Sequence, residues 1–284
     1  MAESVAEQTF APSIGRRLLA LVRFTIIVLI TLIVTLSLGL LKLAFFFWPA
    51  GKRHVRVIFF RIWARSVCRV LGGKTRVHGA LPTTQCLLAS NHLSYLDILV
   101  IAQYVPAVFV SKADVKNWPV ISSMTRLGDT IYISRERSRD IPRANADIAN
   151  ALTRGDNVVV FPEGTSSDSE WVLPVRPSLL EIAVRTQTPV TTAAIAFNTN
   201  ESDPPADTAI CYFGDMSFGA HVFKLMHLSG WECDLRLSGD TLYSDDRKTL
   251  ALDVRRSILT LQSKNNPASP MPDYRKSYAF RKYQ

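Results

Sequence analysis

The longest apolar stretch of the chain lies near its amino end. From Phe24 to Trp48 almost every residue is Ile, Leu, Val, Phe or Thr, and the interruptions are few: Ser37, Gly39 and Lys42. As a helix the stretch would be roughly 37 Å long, against about 30 Å for the hydrocarbon core of a bilayer. It is too long for the apolar part of a signal peptide, and we find no small-residue cleavage site. We therefore predict that residues 24–49 form a retained membrane anchor, either a single span or a hairpin that turns near Gly39.

Basic residues lie on both sides of this anchor, with more of them after it. The preceding residues 1–23, which we predict to be a tail, include Arg16, Arg17 and Arg23, and the following residues include Lys52, Arg53, Arg56, Arg61, Arg65 and Arg69. By the positive-inside rule the rest of the chain lies on the cytoplasmic face, and we expect a bacterial inner membrane. Residues 50–71 mix cations with apolar side chains, which predicts a basic amphipathic helix in the headgroup region. A helix that covers the soluble core fits this pattern equally well.

From residue 72 onward, short apolar runs alternate with longer mixed segments. The predicted strands are Lys74–His78, Cys86–Ala89, Val108–Ser111, Thr130–Ser134, Asn157–Phe161 and Val190–Phe197, and the predicted helices are Leu96–Gln103, Ile141–Arg154 and Ser178–Thr186. This alternation is typical of an α/β fold with a mostly parallel sheet flanked by helices, which we assign to a catalytic domain over residues 72–263. Residues 264–284 are polar, basic and aromatic, and we predict a poorly ordered tail that is either solvated or in contact with the membrane.

Charge and cysteine content narrow the class of protein. The net charge of +9 predicts attraction to anions, and the apolar anchor beside the basic residues favours a lipid surface over nucleic acid. The four cysteines, Cys68, Cys86, Cys211 and Cys233, show neither a C-x-x-C pair nor the spacing of a zinc site. We therefore expect a reducing compartment and no metal. We interpret His221 and His227 as ordinary histidines rather than metal ligands.

A polar cluster follows the predicted strand Cys86–Ala89, in the sequence Ser-Asn-His-Leu-Ser-Tyr-Leu-Asp that ends at Asp97. A histidine, whose usual pKa is about 6.5, and a carboxylate that orients it are the parts of a general base. The alternative is a helix start with Ser94 as N-cap. Because a spacing of five residues does not place two side chains on one helix face, we expect His92 in the turn before the helix and Asp97 in its first turn. The two interpretations are therefore compatible.

Two further polar loops follow predicted strands. Ser134–Arg137 follows the strand at Thr130, and Pro162–Ser166 follows the strand at Asn157. In a parallel sheet the carboxyl ends of strands share one edge, so these loops are expected to meet the His92 loop there. Taken alone, Arg135 is better interpreted as a solvated charge, and Pro162–Gly164 is equally well a tight turn with a solvated acid.

Three motifs in this order resemble those of the glycerolipid acyltransferases. They are N-H-x-x-x-x-D at Asn91–Asp97, G-x-x-x-x-x-x-R at Gly128–Arg135 and F-P-E-G-T at Phe161–Thr165, followed by an apolar strand opened by Pro189. The resemblance covers residues 75–197, and the family also has an apolar amino-terminal anchor. It implies a membrane-bound enzyme with a lysolipid acceptor, acyl-CoA or acyl carrier protein as donor, and no cofactor.

The resemblance also implies a role for each motif residue. His92 would remove the proton of the acceptor hydroxyl as the oxygen attacks the donor thioester, and Asp97 would orient the imidazole. The residues implied or considered for acceptor binding are Asn91, Arg135, Glu163, Gly164, Thr165 and Arg176. Arg135 would pair with the acceptor phosphate, and Glu163 with the Gly164 backbone would hold its glycerol.

One departure from the family pattern concerns the headgroup. Lysophosphatidic acid acyltransferases usually have a basic residue directly after E-G-T, whereas this chain has Ser166, and the nearest replacement is Arg176. In this respect it resembles the bacterial lyso-ornithine lipid acyltransferases, whose acceptor headgroup has no phosphate. We expect 1-acyl-sn-glycerol-3-phosphate as acceptor, giving phosphatidic acid, with lyso-ornithine lipid as the alternative. Among other classes of protein, a non-catalytic lipid-binding protein is also compatible with the sequence. A serine hydrolase is not, because this chain has no G-x-S-x-G motif to supply the nucleophile.

Overall fold

The computed structural model describes residues 12–118, 121–134 and 140–263. The helices are α1 Ile14–Ala44, α2 Pro49–Val70, α3 Leu96–Ala102, α4 Ile121–Leu127, α5 Asp140–Thr153, α6 Glu181–Thr186, α7 Ala206–Ala209, α8 Phe218–Met226 and α9 Arg247–Ser263. The strands are β1 Gly73–His78, β2 Leu87–Ser90, β3 Ala107–Lys112, β4 Ile131–Ile133, β5 Asn157–Val160, β6 Val190–Thr199 and β7 Trp231–Leu242. The predicted tail at residues 264–284 lies outside the described residues.

The strands of the described residues form one sheet in the order β1-β7-β6-β2-β5-β3-β4. All pairs from β6 to β4 are parallel, whereas β7 is antiparallel to β6 and parallel to β1. The predicted α/β fold with a mostly parallel sheet is confirmed. The predicted helix Ser178–Thr186 is shorter than expected, because a 3₁₀ turn at Pro177–Leu179 precedes α6.

The central strands are apolar at successive positions because helices cover both faces of the sheet. In β2, Leu88 packs in the core on the side of α2 and α3, whereas Leu87 and Ala89 pack in the core on the side of α5 and α9. Strand β5 alternates in the same way. Continuous apolar runs are typical of parallel strands buried on both faces. The two cores hold the carboxyl ends of β2 and β5 side by side.

The amino-terminal helices form a hairpin whose boundaries differ from the prediction. Helix α1 begins at Ile14, within the predicted tail, and continues through Gly39 without a turn. One glycine inside a helix costs about 1 kcal/mol, which does not by itself end it. The chain turns after Ala44 instead, and Pro49, whose fixed φ suits a first helical position, begins α2.

Helix α1 lies along the domain and is bonded to it near both ends. The buried Arg23 donates through Nη1 to the carbonyl oxygens of Met226 and Leu228. Lys42 Nζ donates to Leu127 O at 2.7 Å and to Asp129 Oδ1 at 2.9 Å. The opposite face of α1 is apolar and exposed. Among the described helices, α1 is the one that is long and apolar enough to cross a membrane.

Helix α2 covers the core with one face, as one of the two sequence interpretations expected. Its buried Arg56 donates through Nη1 to Asp129 Oδ2 at 2.7 Å and through Nη2 to Asp156 Oδ1. Arg53 Nε lies 2.7 Å from the same Asp156 oxygen. We call Lys42, Arg53, Arg56, Asp129 and Asp156 the hairpin network. It joins α1 and α2 to the loops that follow α4 and α5.

Candidate active site

Two loops meet at the carboxyl edge of the sheet because their strands are neighbours. Strands β2 and β5 pair with Ala89 opposite Val160, so the loops that start at Asn91 and Phe161 begin side by side. The structure thus brings together the first and third sequence motifs. Arg135, in the second motif, lies outside the described residues.

His92 and Asp97 form a hydrogen-bonded pair where these two loops meet, a part of the carboxyl edge that we call the crevice. His92 Nδ1 donates to Asp97 Oδ2 at 2.7 Å, and Asp97 is fully buried, whereas the His92 side chain is 18% exposed. His92 lies before α3 and Asp97 in its first turn, which confirms their predicted placement. Because Nδ1 carries the proton in this bond, Nε2 keeps its lone pair as a proton acceptor.

Asp97, rather than Ser94, satisfies the free amide groups before α3. Its Oδ2 atom also accepts from Leu93 N at 2.7 Å and from Ser94 N at 3.0 Å. The Ser94 hydroxyl is buried and has no hydrogen-bond partner, so the predicted N-cap role of its side chain is wrong. Asp97 can accept from these N–H groups because its side chain extends from the first turn of α3 back to the preceding loop.

The loop after β5 holds His92 from three further directions. Glu163 Oε1 accepts from His92 N at 2.9 Å, and Ser167 N donates to His92 O at 3.0 Å. The imidazole stacks on Phe161 with 4.2 Å between ring centroids and 18° between planes. The catalytic candidate is therefore fixed at its backbone, at Nδ1 and at one ring face.

Glu163 faces the protein interior, which differs from the acceptor-binding role that the resemblance implies. It is 3% exposed, and its second oxygen, Oε2, accepts from Leu173 N at 2.8 Å. Burial raises the pKa of Glu163 to about 8, although the N–H groups of Leu173 and His92 act in the opposite direction. Each oxygen accepts from a backbone N–H group and the side chain is buried, so in this structure the carboxyl group faces away from the surface that an acceptor would reach.

Asn91 likewise faces inward instead of toward an acceptor. Its side-chain Nδ2 donates to Ile195 O at 3.0 Å, and Oδ1 accepts from Ile195 N at 2.8 Å. Asn91 is 1% exposed. In this structure the amide joins the loop that carries His92 to β6, and an acceptor-binding role for Asn91 stays a prediction.

The guanidinium of Arg176, which lies outside the motif, packs against the E-G-T turn. Gly164 has φ +80°, and a Cβ there would lie 2.6 Å from Arg176 Nε, so the guanidinium lies against the glycine. Arg176 N also donates to Pro162 O at 2.8 Å. Thr165 is partly exposed beside it, and the Ser166 hydroxyl donates to Tyr212 O. Of the residues implied or considered for acceptor binding, Gly164, Thr165 and Arg176 thus lie together in the crevice.

Several neighbours of the crevice were not identified from sequence. Tyr95 donates to the buried His221 at Nδ1 over 3.0 Å, and His221 Nε2 donates to Cys211 O over 3.1 Å. Burial lowers the pKa of His221 to about 4, which keeps its imidazole neutral near pH 7. Burial raises the pKa of Tyr212, and the charge of Lys112, at the carboxyl end of β3, acts in the opposite direction. A cation directly after a buried strand is the signal that could have revealed Lys112.

No group of three or more metal-binding side chains occurs within the part of the chain that the structure describes.

Comparisons with known proteins agree with the motif order. Residues 74–196 match the family model described as Acyltransferase. The chain is 41% identical over 124 residues to the lyso-ornithine lipid O-acyltransferase of Rhizobium meliloti (strain 1021), covering 43% of this chain and 42% of that protein. It is 28% identical over 174 residues to the 1-acyl-sn-glycerol-3-phosphate acyltransferase of Neisseria gonorrhoeae, covering 61% and 67% respectively. The match to the rhizobial relative thus spans less than half of that protein's length.

A solved structure shares the fold. The crystal structure of the 1-acyl-sn-glycerophosphate acyltransferase PlsC from Thermotoga maritima aligns with a TM-score of 0.62 and 20% sequence identity. The alignment covers 88% of this chain and 97% of that chain. Residues 74–196 are therefore similar to an acyltransferase domain, and the solved structure shows that the fold is shared.

Proposed function

We propose that this protein is an O-acyltransferase that moves a fatty acyl group from acyl-CoA or acyl carrier protein to the free hydroxyl of a lysolipid. The observation that carries the proposal is the bond of 2.7 Å between His92 Nδ1 and Asp97 Oδ2, with the imidazole partly exposed in the crevice. A positioned base of this kind typically accelerates a reaction about 10²–10⁴-fold.

The His92–Asp97 pair accounts for the proton transfers of this reaction. His92 Nε2 takes the proton of the acceptor hydroxyl while its oxygen attacks the thioester carbonyl carbon. The tetrahedral intermediate then collapses, the carbon–sulfur bond breaks, and the imidazolium returns its proton to the leaving thiolate. Asp97 stabilises the imidazolium in between, as in other His–Asp pairs. The products are the diacylated lipid and a free thiol.

Replacement of His92 tests this role. His92→Ala should reduce acyl transfer to below a few per cent of the wild-type rate, because nothing else described at this position accepts the proton. His227→Ala is the matched control, since His227 lies on the surface after α8 and outside the motifs. Retention of substantial turnover by a folded His92→Ala protein would refute the proposed mechanism.

For the acceptor we favour lyso-ornithine lipid, with lysophosphatidic acid second. Ser166 stands where the phosphate-binding enzymes usually have a cation, and Arg176 is the cation against the E-G-T turn. One cation suits the single carboxylate of an ornithine headgroup, whereas a phosphomonoester carries close to two charges at neutral pH. The relative with 41% identity acts on lyso-ornithine lipid, by its name. Lysophosphatidic acid remains the second candidate because Arg135 and Lys112 are further cations of the domain.

Purified protein given both acceptors with one acyl donor separates these candidates. We expect a higher kcat/KM with lyso-ornithine lipid. A clear preference for lysophosphatidic acid would reverse the assignment of the headgroup and leave the acyl-transfer chemistry intact.

We also propose that α1 lies in the plane of the membrane surface instead of crossing the bilayer. Arg23 and Lys42, roughly 28 Å apart along the helix, both bond to the same catalytic domain, so a crossing helix would have to break one set of contacts. The exposed face of α1 continues through Ile58 and Ile62 of α2 and Phe223 of α8. An apolar face with adjoining arginines suits a bilayer with anionic headgroups.

Tags at the two termini distinguish the two topologies in sealed inner-membrane vesicles. An in-plane helix leaves the amino-terminal and carboxyl-terminal tags on the same, cytoplasmic face, where added protease removes both from inside-out vesicles. Protection of the amino-terminal tag alone would show that α1 crosses the bilayer.

A further inference from the structure

The buried carboxylate of Glu163 is the crevice group that the reaction above does not use. We infer that Glu163 is a positioning residue, whose two oxygens fix the backbone of His92 against the segment at Leu173, and that it does not contact the acceptor. The inference rests on the proposed function, because a position for His92 matters to the rate only if His92 is the base.

The first argument is that the Glu163 side chain joins the loop that carries His92 to the segment at Leu173. Oε1 accepts from His92 N at 2.9 Å and Oε2 from Leu173 N at 2.8 Å. The His92 loop follows β2, whereas Glu163 and Leu173 belong to the segment between β5 and α6. One side chain therefore sets the distance between the loop that carries the base and the segment that leads to Arg176.

The second argument is chemical. Buried backbone N–H groups are almost always paired, and leaving one unpaired is unfavourable. Two N–H groups that converge on one side chain require two acceptor atoms at that position. A glutamate offers both in either protonation state, whereas a glutamine offers one acceptor oxygen and one NH₂ group that only donates. A carboxyl group therefore suits this position because it has two acceptor oxygens. Both of its partners are backbone N–H groups, and neither is a cation.

The third argument is the surrounding support. Arg255 of α9 donates twice to Val172 O, directly before Leu173, and Arg176 N donates to Pro162 O directly before Glu163. The far side of the carboxylate is therefore held in place. A displacement of about 1 Å at a catalytic group can lower a rate about 10²-fold. Glu163 is the residue through which this support reaches His92.

Steady-state kinetics of Glu163→Gln test the inference. We expect kcat to fall about 10²-fold, because the amide pairs with one of the two N–H groups and repels the other. We expect the acceptor KM to stay within about threefold of wild type, and the loss of kcat to be the same factor with lyso-ornithine lipid and with lysophosphatidic acid. An acceptor-binding role predicts the opposite division, with a raised acceptor KM and a nearly unchanged kcat.

The controls separate position from folding. Glu170→Gln changes an exposed carboxylate in the same segment and should leave both parameters unchanged. If Glu163→Gln does not fold, Glu163→Asp takes its place. The side chain of aspartate is one methylene shorter and does not reach both N–H groups, so we expect the same loss of kcat. A wild-type kcat in a folded Glu163 variant, or a loss confined to KM, overturns the inference. If instead His92→Ala is active, the proposed function fails, independently of Glu163.

Discussion

Two carboxyl groups, the partly exposed Asp129 and the buried Glu163, show how differently the hairpin and the crevice are held. In the hairpin network burial acts to raise the pKa of Asp129, but Lys42 and Arg56 outweigh it and keep that pKa below its ordinary value. In the crevice Glu163 faces backbone N–H groups, and burial raises its pKa to about 8. The hairpin is therefore fixed to the domain by opposite charges, whereas the crevice is fixed by directed, uncharged donors. Substitutions in the first should lower stability, and substitutions in the second should lower the rate.

The largest effect is expected in the crevice, from Asp97→Asn. The amide can still accept hydrogen bonds, but it cannot hold the Nδ1 tautomer of His92 or stabilise the imidazolium, so we expect kcat to fall about 10³–10⁴-fold. Turnover at saturating substrate and a thermal unfolding curve measure the two consequences separately. A variant that unfolds early but turns over normally would remove the distinction between crevice and hairpin.

The next effect belongs to the hairpin. Arg56→Ala leaves Asp156 buried with less of its counter-charge, and breaking a buried pair by removing one partner typically lowers the free energy of unfolding by about 3–5 kcal/mol. Denaturant unfolding in detergent measures this loss. Arg76→Ala is the control, since the Arg76–Glu232 pair is exposed and such pairs contribute about 0–1 kcal/mol. Equal losses in the two variants would contradict the role assigned to the network.

The pKa of Glu163 is raised and the pKa of Asp129 is lowered, so their contributions to stability should change with pH in opposite directions. Burial raises the pKa of Glu163 from its ordinary value of 4.5 to about 8. Its contribution to stability therefore decreases as the pH rises from 4.5 to about 8. The neighbouring charges of Asp97 and Arg255 act on it in opposite directions. Asp129, whose pKa is lowered, contributes stability that is lost as the pH falls through the acid range.

Unfolding free energies at pH 5.5 and pH 8.5 check the Glu163 contribution. Wild type should lose about 3 kcal/mol more than Glu163→Gln between these values, because the change corresponds to a little over two pKa units and one unit is about 1.4 kcal/mol. Identical pH dependence in the two proteins would show that Glu163 is ionised in the folded state.

The smallest effect is expected from Arg176→Ala. Arg176 is exposed against Gly164, so it contributes to binding of the acceptor anion and not to the position of His92. Loss of one charge-assisted contact should raise the acceptor KM about tenfold and leave kcat within about twofold. The comparison with Glu163→Gln is the informative one, since the two substitutions should affect different kinetic parameters. A fall in kcat alone would place Arg176 among the positioning groups.

The features predicted correctly from sequence are those that depend on neighbours along the chain. Buried strands such as β5 are visible as apolar runs, and the spacing of His92 and Asp97 is sufficient to place them before and inside a helix. Strand β7 could also have been identified, because its buried positions from Trp231 to Leu237 alternate. We assigned no elements beyond Phe197, so this signal was missed.

The features that were missed depend on distant contacts. Asn91 and Glu163 belong to motifs that suggest a binding role, but their partners are the backbone of Ile195 and of Leu173, which no local pattern reveals. One of the two predicted forms of the anchor was a hairpin that turns near Gly39, whereas α1 stays helical beyond this residue and Lys42 contacts Leu127 and Asp129. In each case a polar group was used inside the fold, and the family resemblance or the local propensity pointed elsewhere.

The position of β7 between β1 and β6 has a consequence for biosynthesis. In the described sheet β1 pairs with β7 alone, and more than half of the 284-residue chain is translated between them. A ribosome adds about 5–20 residues per second, so β1 waits for its partner for many seconds after it emerges. During that time the apolar hairpin and an unpaired strand both lack the surfaces that cover them in the folded protein. Aggregation of the nascent chain is therefore most favoured in this interval, well before the His92 loop can take its final position.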